Sequence, residues 1–437
     1  MDDRPQETIP TASRYLDNLL SEMDRWIRPE LQSEQSLFNY RSMRRVLVRL
    51  ITSGDPLPVL DEIGAGRAPR PAGALSDKDL HRAVLDEAAR MDECLRAGDV
   101  RLARADKAED APQVKATAIE AGLAALGYPH ARVHDMKVVF GGRSKETILF
   151  SINGVPGLPR DLVMRRDLLT GSLGTRVVDE FALLEVLHAH GVRTPAPFAA
   201  TAEGGAVGTP FLIMARARGR TAGEAVTAPL RSEQVLAAAR ALPAIHRTPT
   251  SAVATLPMFE RPAASPQETA ALVEKMARQW REKARTFSPA VEAAYRWLGA
   301  HAAQVAPHAV LVHGDYNFHN LLYDGDELTA VLDWELSHLG HPAEDLGYVK
   351  QCVEQRVSWD SFMAEYRDAG GLDVSLHDVH AYALLSMLRL IGYILHSRDL
   401  FESGAADTVG KGEVSSYFLP RLMQQVSLEM RQIIAEA

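Results

Sequence analysis

The stretch "VHGDYNFHNLLYDGDELTAVLDWE", residues 312 to 335, places Asp315, Asn320 and Asp333 among apolar strands and tight turns. A carboxylate is costly to bury without a partner. The segment is therefore either a solvated loop with incidental charges or a site for something cationic. Phosphoryl transfer from a nucleotide needs a carboxylate to orient and deprotonate the attacking hydroxyl. It also needs oxygen ligands for magnesium. Asp315, with Asn320 five positions on, can meet both needs, the first facing the acceptor and the second the metal. Between Asn320 and Asp333, "LLYDGDELTAVLD" reads as strand, Asp-Gly turn, strand. A hairpin folds its ends together, so Asn320 and Asp333 can converge on one Mg²⁺, an ion that favours hard oxygen ligands.

Outward from this stretch the chain changes character twice. Residues 12 to 53 and 77 to 97 repeat apolar residues at helical spacing. "GAGRAPRPAGA", residues 64 to 74, interrupts them as a loop. Its Gly64 and Gly66 mimic a dinucleotide fingerprint, but the following prolines forbid the helix that fingerprint needs. Residues 1–112 thus read as an all-helical N-terminal module for packing or homo-oligomerisation. "ARVHDMKVVFGGRSKETILFSI" and "RDLVMRRD" then read as three strands, residues 175 to 190 as a helix stopped by Gly191, and "GTPFLIMARARG" as a further strand. Beyond that the pattern is mainly helical. The expected organisation is a sheet-based lobe over 113–216 and a helical lobe over 217–437, an α+β arrangement with a ligand cleft between the lobes.

Composition narrows the function classes. A net charge of −9 over 437 residues argues against a nucleic-acid binder. Cys94 and Cys352, far apart, suggest a reducing compartment and no disulfide framework. "MDDRPQETIP" lacks the regions of a signal peptide. No apolar run reads as long enough to cross a membrane. "ALLSMLRLIGYIL" is short, carries Arg389, and reads as a buried helix. A cytoplasmic protein with neither a membrane nor a nucleic-acid partner is expected.

"HGDYNFHN" followed by "LDWE" resembles the catalytic and metal-binding loops of the aminoglycoside phosphotransferase family, relatives of the protein kinases. "LGHPAEDLGYV" resembles the family's G-D-P-x-x-D-L segment, with His341 in place of the usual Asp. Upstream, "FGGRSKETILFSI" resembles its nucleotide-covering loop, "LVMRR" its third strand, "DEFALLEVL" its acidic helix and "PFLIMARARG" its interlobe hinge. The resemblance covers roughly residues 113 to 437. It implies a protein-kinase-like two-lobed domain that uses ATP, with GTP open, and Mg²⁺ to phosphorylate a hydroxyl of a small molecule. Asp315 would be the catalytic base. Asn320 and Asp333 would hold the metal. Arg165, paired with Glu180, would clamp the phosphates beneath Gly141, Gly142, Arg143 and Ser144. Met214, Ala215 and Arg216 would meet the adenine. Arg166 remains an alternative to Arg165, because strand alternation puts the two on opposite faces.

The wording is closest to the kinase-like domains fused to some acyl-CoA dehydrogenases, which implies a hydroxyacyl-CoA or related organic acceptor. The alternatives are an aminoglycoside acceptor and a catalytically silent nucleotide-binding scaffold. A hydrolase metal site built on His313, Asp315 and His319, with His338 and His341 nearby, lacks any supporting motif. Asp345 is expected to cap a helix or brace the loop.

Overall fold

The computed structural model describes residues 114–139, 145–167, 175–222, 229, 231–259, 265–284, 287–301, 309–402 and 418–436. The helices expected at 12–53 and 77–97, the loop at 64–74 and the covering residues Gly141–Ser144 lie outside these. Contacts define two compact units. One takes in Ala111–Ala270 and His301–Ser386, the other includes Ala271–Ala300 and Met387–Ala437. The expected lobe boundary at 216/217 falls inside the first unit, and the expected helical lobe is shared between the two.

The first unit opens with α1 (Ala116–Ala125) and a five-stranded antiparallel sheet. Its strands are β1 (Val133–Val139), β2 (Lys145–Ile152), β3 (Asp161–Asp167), β4 (Pro197–Thr201) and β5 (Phe211–Ala215), in the order β1-β2-β3-β5-β4. Helix α2 (Val177–Ala189) links β3 to β4. Strand alternation sorts the side chains. Ile148, Phe150, Leu162, Met164, Phe211 and Ile213 form one core with Ile119 and Leu123 of α1. Val163, Leu212 and Met214 join the other core, with Leu183, Leu184 and Leu187 of α2. The sheet is therefore covered on both faces, and the parity of a residue decides which core it meets.

The same unit continues through β6 (Arg220–Thr221), α3 (Ser232–His246) and α4 (Thr250–Val253). Helices α5 (Pro266–Lys283) and α6 (Pro289–His301) follow. Strand β7 (Val310–Val312) pairs antiparallel with β10 (His338–Gly340). Between them lies the hairpin of β8 (Leu321–Asp324) and β9 (Glu327–Val331), with Gly325 at φ 65° in its turn. Helices α7 (Ala343–Glu354), α8 (Trp359–Asp368) and α9 (Leu376–Glu402) complete the run, and α10 (Leu419–Glu436) follows. In the second unit Arg281 pairs with Glu292 at 2.9 Å and Lys283 with Asp399 at 2.8 Å.

One reading needs correction. The apolar run around residue 390 extends over Leu376–Asp399, long and apolar enough by length and composition to cross a membrane. Of its most apolar window, 61% is buried within the protein, the pattern of a core helix.

Candidate active site

The loop between β7 and β8 is held from below by a buried carboxylate. Asp345, in the first turn of α7, accepts from the backbone amides of His313 (2.8 Å) and Gly314 (2.9 Å). The same side chain meets His246 Nε2 at 3.1 Å, and His246 Nδ1 meets the Tyr366 hydroxyl at 2.8 Å. Gly314, at φ 79°, is required here: a Cβ would meet the Leu336 carbonyl oxygen at 2.4 Å. Asp345→Ala strands the buried amide of His313 and the half-buried amide of Gly314, each worth about 1–3 kcal/mol. The expected result is a loss of about 3 kcal/mol or more in chemical denaturation, and a loss below ~1 kcal/mol would contradict the bracing role.

His313 faces inward. Its Nδ1 accepts from the Asp315 amide at 3.2 Å, its Nε2 donates to the Leu332 carbonyl at 2.9 Å, and its ring lies 4.6 Å from that of Trp334. Both nitrogens are thus committed to the backbone, which removes His313 from any metal-ligand set. Among the described residues no three His, Cys, Asp or Glu side chains cluster to hold a metal. His341, in place of the expected Asp, accepts from the Ala343 amide through Nδ1 at 3.1 Å and stacks on Tyr382 at 4.7 Å. A neutral imidazole can accept one amide at a helix start, as a carboxylate would.

The Asp315 carboxylate receives Asn320 Nδ2 at 2.9 Å, meets His319 Nε2 at 3.4 Å and takes the Tyr348 hydroxyl of α7. Burial pushes its pKa up. The hydrogen bonds from His319 and Tyr348 and the fields of His319 and His313 outweigh that and hold it below the usual value. His319 moves the other way: burial lowers it, but the hydrogen bond and charge of Asp315 leave it raised. Asn320 also gives Nδ2 to the Asp315 carbonyl at 3.0 Å. With its nitrogen turned to a carboxylate, its amide oxygen is left to face elsewhere.

The hairpin brings Asp333 to this loop, since the Leu332 amide donates to the Asn320 carbonyl at 2.8 Å. Asp333 adopts a left-handed conformation (φ 65°, ψ 68°), uncommon for a residue other than glycine. Its Oδ1 receives Arg165 Nη2 at 2.9 Å, while Arg165 Nη1 meets Glu180 Oε1 at 2.8 Å. One guanidinium on β3 therefore spans an acid of α2 and an acid 168 residues further along the chain. Burial lowers the Arg165 pKa, and the charges of Glu180 and Asp333 more than reverse it, so the guanidinium stays charged. Burial raises Glu180, opposed by Arg165.

Arg166 points to the opposite face of the sheet. It binds Glu146 at 2.5 Å and the Val207 carbonyl at 3.0 Å. At the hinge, the Ala215 amide donates to the Ala196 carbonyl (2.8 Å) and the Arg216 amide to the Asp161 carbonyl (3.1 Å). Two amides of the Met214–Arg216 segment are thus engaged by neighbouring backbone carbonyls. Four residues absent from the sequence reading belong to the neighbourhood: His246, Tyr348, Lys145 and Asp167. Only Tyr348 carried a signal, one helical turn from Asp345 within "EDLGYV".

This geometry, on an α+β two-lobed fold, defines the kinase-like class. The phosphotransferase enzyme family model (APH) matches residues 136–384, more than half the chain. The chain belongs to this family of small-molecule phosphotransferases. Over 181 residues it is 26% identical to acyl-CoA dehydrogenase family member 11 of Gallus gallus, an alignment covering 40% of this chain and 23% of that protein. Over 175 residues it is 29% identical to acyl-CoA dehydrogenase family member 10 of Mus musculus, covering 39% and 16%. The match thus spans less than a quarter of either relative's length. Among solved structures, a proposed aminoglycoside phosphotransferase from Ralstonia eutropha superposes with a TM-score of 0.54 at 20% identity, over 73% of this chain and 99% of that one. A spectinomycin phosphotransferase solved with ADP and spectinomycin gives 0.54 at 13% identity, over 73% and 100%. At such identities the structural likeness speaks for the fold alone.

Proposed function

We propose that the protein transfers the γ-phosphoryl group of ATP to a hydroxyl of a small organic acceptor. The observation that carries this reading is the Glu180–Arg165–Asp333 bridge beside the Asp315–Asn320 pair. Asp315, kept ionised and oriented by Asn320, His319 and Tyr348, accepts the proton of the acceptor hydroxyl as its oxygen bonds the γ-phosphorus and the bond to the bridging β-phosphate oxygen breaks, releasing ADP. The Asn320 amide oxygen and the second Asp333 oxygen are hard donors of the type Mg²⁺ takes, and these two residues would hold it. A bound Mg²⁺ supplies neutralisation of phosphate charge. Arg165, kept charged and aimed by Glu180, offers a planar fork to the phosphate oxygens. The covering role of Gly141–Ser144 and the adenine contact at Met214–Arg216 belong to the same proposal.

For the acceptor we favour a hydroxylated acyl compound such as a hydroxyacyl-CoA. Support comes from the two acyl-CoA dehydrogenase relatives. Arg398 adds nothing to this choice, because it donates to the Lys283 carbonyl at 2.8 Å and meets Asp399. An aminoglycoside acceptor is the second reading, drawn from the structural neighbours. The test is a screen of hydroxyacyl-CoA compounds, simple hydroxy acids and kanamycin-type antibiotics with ATP or GTP, read by mass spectrometry of the product. Phosphorylation of an acyl compound is expected. Efficient turnover of antibiotics alone overturns the acceptor, and no nucleotide consumption with any compound favours a silent scaffold.

A further inference from the structure

Lys145 is a buried cation that the proposed chemistry does not use. It opens β2 directly after the covering segment, yet it is only 3% exposed. Its ammonium pairs with Asp167 at 2.9 Å and donates to the Thr175 carbonyl. A buried ammonium persists only where it is paired and hydrogen-bonded, so these contacts account for its burial.

The partners matter more than the burial. Asp167 ends β3, and its Oδ1 also accepts from the amide of Val177, the first residue of α2, at 3.2 Å. Helix α2 has no cap of its own: Arg176, at the N-cap position, makes no side-chain capping bond. The orphan amide and the positive end of the helix dipole are therefore satisfied from the neighbouring strand. Register puts Lys145 opposite Asp167 and Thr147 opposite Arg165, so Lys145, Arg165 and Asp167 share one face of the sheet. Glu180 lies in the first turn of α2, and Thr175, just before the helix, donates its hydroxyl to the Glu335 carbonyl at 3.1 Å, two residues past Asp333.

We propose that the Lys145–Asp167 ion pair is a positioning device: it pins the start of α2 to the end of the β2–β3 pair and thereby delivers Glu180 to Arg165. Lys145 does not itself touch the nucleotide. The inference rests on the reading of Arg165 as the phosphate clamp, and it predicts that α2 is set before nucleotide arrives.

A double-mutant cycle tests it. Lys145→Met, Glu180→Gln and the double variant are compared for Mg²⁺–ATP affinity by titration calorimetry, and amide exchange of residues 175–181 is followed without nucleotide. Lys145→Met is expected to weaken ATP binding by about tenfold in the parent and by less than about twofold on top of Glu180→Gln, with faster exchange at 175–181. Equal losses in both backgrounds, or unchanged exchange at 175–181, overturn the proposal. A direct phosphate ligand would give the former and a merely local ion pair the latter. If Lys145→Met does not fold, Asp167→Asn, which keeps the side-chain shape and removes the charge, carries the same cycle. Should the parent bind no nucleotide, the phosphate-clamp reading fails alone, and the exchange measurement still decides the placement of α2.

Discussion

Asp315→Asn is expected to lower turnover by about 10²- to 10⁴-fold, the usual contribution of a positioned general base. The substitution is isosteric, so the loop should survive it. His313 and Asp345 hold that loop through the backbone, at the amides of His313, Gly314 and Asp315, not through the Asp315 carboxylate. The carboxylate receives side-chain donors from Asn320 and Tyr348. An amide offers one acceptor oxygen in place of two, at a cost of about 1–3 kcal/mol for an unmatched donor. Nucleotide affinity should change little, since Arg165 pairs with Glu180 and Asp333 and not with Asp315. The measurement is kcat with the best acceptor from the screen, alongside calorimetric ATP affinity. Turnover near that of the parent would remove Asp315 from its assigned role. Loss of both turnover and binding would instead mean that the loop had collapsed.

The readings that the sequence supports best are local ones. The D-x4-N spacing and the hairpin depend on near neighbours, and the structure brings Asn320 and Asp333 together by a single backbone hydrogen bond from Leu332. The helix over 177–189 follows from periodicity and a glycine stop, whereas β4 (Pro197–Thr201) and the order of the strands in the sheet do not. Residues that depend on distant partners were harder to read. Alternation alone separates Arg165 from Arg166 without saying which one faces α2. That depends on Leu162 and Met164 entering the core shared with α1, which turns the odd-numbered residues of β3 to the other side. Nothing local in the sequence marks Lys145 as buried, because its burial requires Asp167, 22 positions away. The hinge amides are consumed by Ala196 and Asp161, neighbours across the sheet that no local pattern identifies.

Asp333→Ala carries the second large effect, and unlike Asp315→Asn it is expected to lower nucleotide affinity as well as turnover. The carboxylate has two functions in the proposed site: one oxygen holds Arg165 at 2.9 Å, and the other is the charged ligand offered to Mg²⁺. Metal-assisted charge stabilisation is worth several kcal/mol, so kcat/KM should fall by roughly 10³-fold or more. Metal-dependent ATP affinity should fall with it, whereas ATP binding in excess chelator should barely change. The fold should tolerate the change, because Arg165 keeps Glu180 at 2.8 Å and the left-handed backbone at Asp333 is held by its neighbours: Leu332 bonds to Asn320, and the Trp334 indole donates to the Val331 carbonyl at 3.1 Å. Alanine in a left-handed conformation costs about 1 kcal/mol, small beside the catalytic loss. Calorimetry of ATP with and without Mg²⁺ separates the two functions. Unchanged metal-dependent affinity would mean that the hairpin delivers Asp333 to Arg165 alone, and that the metal, if one is used, is held elsewhere.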